Sequence, residues 1–153
     1  MTYLGIDFGK ARIGLAVARD PYILATPLLT IQNTDNAPLQ IAQIVNSEKV
    51  SKIVIGKPVS LKGKNEQAVQ DVEAWTRDTL LPVLKSQLKS YPENMLPENQ
   101  LPEIVFIDER LTTASAKKMF LAANSKSTPD AHKKQKKVID QMAAVEILNT
   151  ILC

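Results

Sequence analysis

Tyr3–Val17 constrains the chain more than any other stretch. Tyr3, Leu4 and Ile6 supply β-favouring bulk up to Asp7; Gly9 interrupts the run and Ile13 to Val17 resumes it. Two apolar runs around a glycine predict a β-hairpin with Asp7 at its mouth, on a rigid scaffold. A carboxylate at the end of a buried first strand suits a metal ligand or a general base. It equally suits an aspartate that hydrogen-bonds its own turn.

The rest of the chain predicts what the hairpin joins. Asp20-Pro21 marks a turn, and Ala25 to Ile31 reads as a third strand. Pro38 fits the first turn of a helix that runs to about Lys49, with Leu39, Ile41, Ala42, Ile44 and Val45 at helical spacing. Lys52 to Gly56 is a short apolar run after a helix, as expected of a strand buried on both faces of a parallel pair. From Asn65 a long helical segment sets Ala68, Val72, Trp75 and Thr79 on one face, and Pro82 kinks or breaks it. Trp75, on that stripe, reads as core rather than as a base-stacking platform. Pro92 to Pro102 is a proline-rich surface connection. Ile104 to Ile107 is another apolar strand, ending on Asp108 and Glu109. A helix capped by Thr112 or Thr113 follows, to about Ala123. The segment from Asn124 to Lys136 reads as a polar, basic loop. The last helix then starts near Lys136 with the stripe Ile139, Met142, Ala143, Ile147, Ile151. A three-strand meander followed by two crossover units gives an α/β fold, a mixed five-stranded sheet with helices on both faces, in a single domain spanning 1–153.

Composition excludes several function classes. Apolar runs fall short of a membrane span, and the N-terminus lacks the layout of a signal peptide, so a membrane partner is not expected. Cys153 is the only cysteine, which favours a reducing compartment. With His132 the only histidine, a zinc site or a Cys–His nucleophile has few candidate ligands. Net charge is +3, but Lys117, Lys118, Lys126, Lys133, Lys134, Lys136 and Lys137 share a window with one acid, Asp130. Such a patch is either a solvated surface or a nucleic-acid footprint.

Three acids stand out by position. Asp7 ends strand one, Glu109 follows the last strand, and Asp140 lies early in the last helix. In the expected sheet order strand one is central and the crossover strands run parallel to it, so their carboxyl ends share an edge, where ligands of open α/β sheets collect. Ala143 and Ala144 would let the last helix approach closely. Carboxylates are the expected shell for Mg2+ or Mn2+, and two such ions can activate a water and stabilise the leaving oxygen in phosphodiester hydrolysis. The bland alternative is that Asp108, Glu109 and Asp140 favour helix N-termini. Asp108 and Glu109 point to opposite faces if the strand persists, so at most one is a ligand. Pattern does not choose between them.

Four separated motifs carry a resemblance. Gly5-Ile6-Asp7-Phe8-Gly9 with Arg12 to Val17, then Val54-Ile55-Gly56-Lys57-Pro58, then Asp108 to Thr113, then Ile139-Asp140 with Ala143-Ala144, in that order, closely resemble the YqgF-like family. That family is described as pre-16S rRNA nucleases and as Holliday-junction resolvases of the ribonuclease-H-like superfamily. The resemblance covers nearly the whole chain. It implies a ribonuclease-H-like fold and picks Glu109 over Asp108 as the acid joining Asp7 and Asp140 in catalysis and metal binding. It also implies a cytoplasmic role in maturing the 5′ end of 16S ribosomal RNA. The chain departs from the family at Lys57, where Leu is more frequent, and at Lys62, where an acid is. Its proline-rich stretch is also longer.

The leading expectation is a metal-dependent endonuclease acting on structured RNA such as precursor 16S rRNA, with ribosomal particles as further partners and a monomer or homodimer as the active form. Alternatives are a resolvase cutting branched DNA and a non-catalytic nucleic-acid-binding or ribosome-assembly module. An actin-like or sugar-kinase ATPase needs two such domains, and 153 residues hold one. Lys57 and Lys62, in the loop between Gly56 and Gly63, are candidate phosphate contacts. Lys126, Lys133, Lys134, Lys136 and Lys137 form a candidate nucleic-acid surface, and Arg12 and Arg110, nearer the acids, are candidates for positioning the cleaved phosphate.

Overall fold

The structure is a computed structural model that describes residues 1–58, 66–88, 101–109 and 129–152. The hairpin forms as its sequence predicts. β1 (Thr2–Phe8) pairs antiparallel with β2 (Arg12–Arg19), and β2 with β3 (Tyr22–Gln32). β3 is longer than the apolar run suggests because register shifts along β2 absorb its irregularities while the pairing continues. After α1 (Ala37–Ser47), β4 (Lys52–Pro58) adds parallel to β1, and β5 (Glu103–Glu109) adds parallel to β4. The sheet order is β3-β2-β1-β4-β5, the mixed five-stranded arrangement expected of the ribonuclease-H-like class.

β1 and β4 are apolar on both faces because the sheet is covered on both sides. On one side, Leu4, Ile6, Ile13, Leu15, Ile53 and Ile55 pack against α1 and against the helical segment after β4. On the other, Ala16, Ala18 and Val54 meet the last helix, α4 (Pro129–Leu152), through Ala144, Val145, Ile147 and Leu148.

The segment after β4 differs from its sequence reading. Pro82 does not split it. α2 (Glu66–Trp75) passes through a π-helical stretch (Thr76–Leu80) into α3 (Leu81–Leu88), with the Leu81 N–H donating to the Thr76 carbonyl. Pro82, in the first turn of α3, can spare its N–H there. The wider turn rotates the buried stripe onto Val72, Thr76, Leu80, Leu84 and Leu88 and leaves Thr79 exposed. Thr76 donates its hydroxyl to the Val72 carbonyl at 2.8 Å, so its burial leaves no polar group unsatisfied. Trp75 packs on the core, its ring 4.8 Å from that of Phe8.

The last helix starts earlier than predicted. It begins at Pro129, and its first turns carry the lysines expected in a loop. Pro129 can open a helix because the N–H it lacks has no partner in a first turn. Hydrophobic periodicity begins only at Ile139, where the helix meets the sheet, so the pattern marked the buried half alone.

Candidate active site

Register places the first acid. Asp7 lies directly opposite Gly14 in the β1–β2 ladder, so both face the same side of the sheet. A Cβ at Gly14 would run into the Asp140 carbonyl oxygen, and one at Gly5 would sit 2.7 Å from the Ala144 carbonyl oxygen. α4 therefore rests on a floor of strand glycines, and its close approach brings Asp140 down beside Asp7. Both aspartates are 8% exposed. The sequence pointed to Ala143 and Ala144 for this approach; the complementary half, Gly5 and Gly14, was missed. A glycine inside a strand is the signal for it.

Glu109 arrives from the opposite flank. Gly56 continues the β1–β4 register one step beyond Ile6↔Ile55, which sets it beside Asp7, with adjacent strands about 4.8 Å apart. The space a Gly56 side chain would fill is occupied by Glu109 Oε1 and by Ile147 Cδ1 of α4. Glu109 thus lies on the α4 face. Asp108, one residue earlier on the same strand, is exposed, and strand alternation turns it the other way. Asp7, Glu109 and Asp140 accordingly share one face at the carboxyl edge of the parallel strands, with Asp7 between the other two.

Arg12 opens β2 on the same face, two residues before Gly14. Its Nε donates to Asp140 Oδ2 at 2.8 Å. The β1–β2 turn that separates Asp7 from Arg12 is pinned by Asn33. Its Nδ2 donates to the Gly9 carbonyl at 2.7 Å and its backbone N–H to the Ala11 carbonyl at 2.9 Å. Asn33 reads in the sequence as a loop residue only. Its partners lie a hairpin away, so no local pattern announces them.

Lys57 is not brought to the acids. It sits at the same edge on the opposite face, where Nζ pairs with Glu73 Oε1 at 2.9 Å and lies 5.1 Å from the centre of the Phe106 ring. Alternation along β4 turns Lys57 away from Gly56, and its ion pair ties β4 to α2 there. Lys133, Lys134, Lys136 and Lys137 are exposed on the first half of α4. Lys62, Arg110, Lys126 and the helix expected after Thr112 lie outside the described residues.

α4 runs back along β1, with Asp140 over Gly14 and Ala144 and Leu148 over Gly5. Farther N-terminal, Thr30 of β3 donates to the Lys137 carbonyl at 2.8 Å. The helix therefore crosses the sheet diagonally, and its basic half leads away from the acids past the β3 corner. At about 100° per residue, Lys133, Lys136 and Lys137 fall within about 60° of the Asp140 azimuth, whereas Lys134 is about 120° away.

The donor chemistry fits a hard divalent cation. Three carboxylates come from three elements, and glycine on both flanks of Asp7 admits Asp140 on one side and Glu109 on the other. Among the described residues, however, no three acids stand close enough to form a ready ligand group. Asp140 engages Arg12 through Oδ2 and has its second carboxylate oxygen as a further possible ligand atom.

The whole chain, residues 1–153, matches the RuvX family, described as Holliday junction resolvase. A relative from Corynebacterium jeikeium (strain K411), named "Putative pre-16S rRNA nuclease", is 37% identical over 147 residues, covering 95% of this chain and 81% of its own. A relative of the same name from Sulfurihydrogenibium sp. (strain YO3AOP1) is 37% identical over 153 residues, covering 97% and 88%. A solved structure of T. thermophilus RuvC with a Holliday junction substrate overlaps at TM-score 0.46 and 11% identity, covering 85% of this chain and 73% of that one, too loosely to transfer residues. Match length and identity together make this chain a member of the RuvX family.

Proposed function

We propose that the chain is a metal-dependent endonuclease that hydrolyses phosphodiester bonds in structured nucleic acid, with precursor 16S ribosomal RNA as its substrate and the cytoplasm as its place of action. The convergence of Asp7, Glu109 and Asp140 on one face carries this reading, because a basic helix surface leads directly away from them. Family membership and the names of the relatives point the same way. Asp7, Glu109 and Asp140 would hold Mg2+ or Mn2+, which when bound activates water and stabilises the leaving oxygen.

The chain's own residues do the rest. Glycines at positions 14 and 56 let two acids close on the third without backbone distortion. Arg12 compensates the charge of Asp140 and fixes its side chain. Lys133, Lys136 and Lys137 of α4 supply affinity for a phosphate backbone without reading bases.

The test incubates the purified chain with a precursor 16S RNA fragment and with a four-way DNA junction, each with magnesium, manganese or excess chelator. Cleavage of the RNA that chelator abolishes supports the proposal. Cleavage of the junction alone favours the resolvase reading that the family description carries. Tight binding without cleavage under any metal would leave an assembly factor instead.

A further inference from the structure

Gly56 occupies a position where any side chain would collide with the site. The nearest atoms to a Cβ there are the carboxylate oxygen Oε1 of Glu109 and the terminal methyl Cδ1 of Ile147, the latter at 2.6 Å. The contrast with Gly14 is informative. There the obstacle is the backbone of α4, so Gly14 is needed to dock a helix. At Gly56 both obstacles are the far ends of side chains, which can move without unfolding anything. What a side chain at position 56 would displace is the position of a carboxylate.

We infer that Gly56 is a positioning residue: its bare face is the seat on which the Glu109 carboxylate rests beside Asp7. The Glu109 side chain turns about three torsions, χ1 to χ3, and it leaves β5 opposite Pro58, two residues beyond Gly56. To approach Asp7 its carboxylate must reach back across β4, and the route passes over position 56. A methyl group there would push it outward. The motif Val54-Ile55-Gly56-Lys57-Pro58 thus divides its work between faces. Gly56 seats an acid on one, and Lys57 ties β4 to α2 on the other.

The inference rests on the metal-site reading, and the experiment separates the two. Mn2+ affinity of the metal-free full chain is measured by calorimetry for wild type, Gly56→Ala, Glu109→Asp, Glu109→Gln and the double variant Gly56→Ala with Glu109→Asp. Melting of the metal-free proteins is followed in parallel. Gly56→Ala is expected to weaken Mn2+ binding by about 10- to 100-fold, the range typical when support of a metal ligand is lost. The same change in the Glu109→Asp background should cost far less, because the shorter carboxylate no longer lies over position 56. If Gly56→Ala melts early, Ile147→Val is added to relieve the second contact; the folded double variant should still bind Mn2+ weakly. Wild-type affinity in Gly56→Ala, or an equal loss in both backgrounds, overturns the role of Gly56. Unchanged affinity in Glu109→Gln instead removes Glu109 from the metal site, and with it the reading on which this one stands.

Discussion

Arg12 and Asp140, 128 positions apart, meet through a 2.8 Å hydrogen bond from Nε to Oδ2 beside Asp7. The pair joins the first residue of β2 to the helix that closes the sheet. It also neutralises one of two nearly buried aspartates. The Arg12 side chain is 30% exposed and that of Asp140 11%, so the contact is neither a screened surface pair nor a fully desolvated one. Arg12→Ala should cost about 1 kcal/mol, a fall in melting temperature of about 2–4 °C for a domain of this size. The deficit should shrink with saturating Mg2+, because a cation between the acids supplies the compensation Arg12 provided. Differential scanning calorimetry with and without metal tests this, and an equal deficit in both conditions argues against a cation there. Arg12→Lys keeps the charge but not the planar donor, and should fall between.

The acids themselves give the sharpest expectation. Asp7→Asn, Glu109→Gln and Asp140→Asn should each reduce cleavage at least about a hundredfold, about 2.7 kcal/mol of transition-state stabilisation, while substrate binding persists. Asp108→Asn should leave cleavage intact, since Asp108 is exposed on a strand where Glu109 faces the site. Single-turnover cleavage of precursor 16S RNA measures all four. A dead Asp108→Asn beside an active Glu109→Gln would reverse the assignment.

The sheet was legible in the sequence because it depends on local signals, whereas those signals alone left the choice between Asp108 and Glu109 open. Apolar runs of strand length, a breaking Gly9 and the order of strands and helices suffice to set β1 at the centre, and alternation separates Asp108 from Glu109. What was hidden depends on distant partners. The docking of α4 is decided by Gly5 and Gly14 on other strands, and the turn beside Asp7 by Asn33. The pairing of Lys57 with Glu73 and Phe106 was hidden in the same way, since both partners are far from it in sequence. The first half of α4 escaped detection for another reason. Exposed lysines carry no hydrophobic period, so a helix without a buried face reads as loop.

Lys57 now predicts a change in stability. Its ammonium is held by Glu73 and sits over Phe106, partly shielded from water. Lys57→Ala should lower the urea midpoint, with a loss of about 1 kcal/mol from the two contacts together. Affinity for structured RNA should stay at the wild-type value. If affinity falls while the urea midpoint holds, the tether is dispensable and Lys57 reaches the substrate after all.

The lysines of α4 make the last prediction, and helical geometry makes it selective. Lys133, Lys136 and Lys137 lie on the Asp140 side of the helix, and Lys133 is about 10 Å along the axis from Asp140, at 1.5 Å per residue. A phosphate backbone entering the acid site would follow that ridge. Lys134 points about 120° away from it. Each lysine that contacts a duplex phosphate contributes up to about 0.9 to the log–log slope of affinity against salt. Single Gln substitutions at 133, 136 and 137 should each make that slope shallower and weaken binding of precursor RNA and of a DNA junction alike, since phosphate contacts carry no sequence information. Lys134→Gln should change neither slope nor affinity measurably. Fluorescence anisotropy across a salt series reads both quantities at once. Equal effects at all four positions would mean a diffuse attraction to a charged helix rather than a track, and no effect at any of them would leave α4 a solvated surface with the acids as the sole contact to substrate.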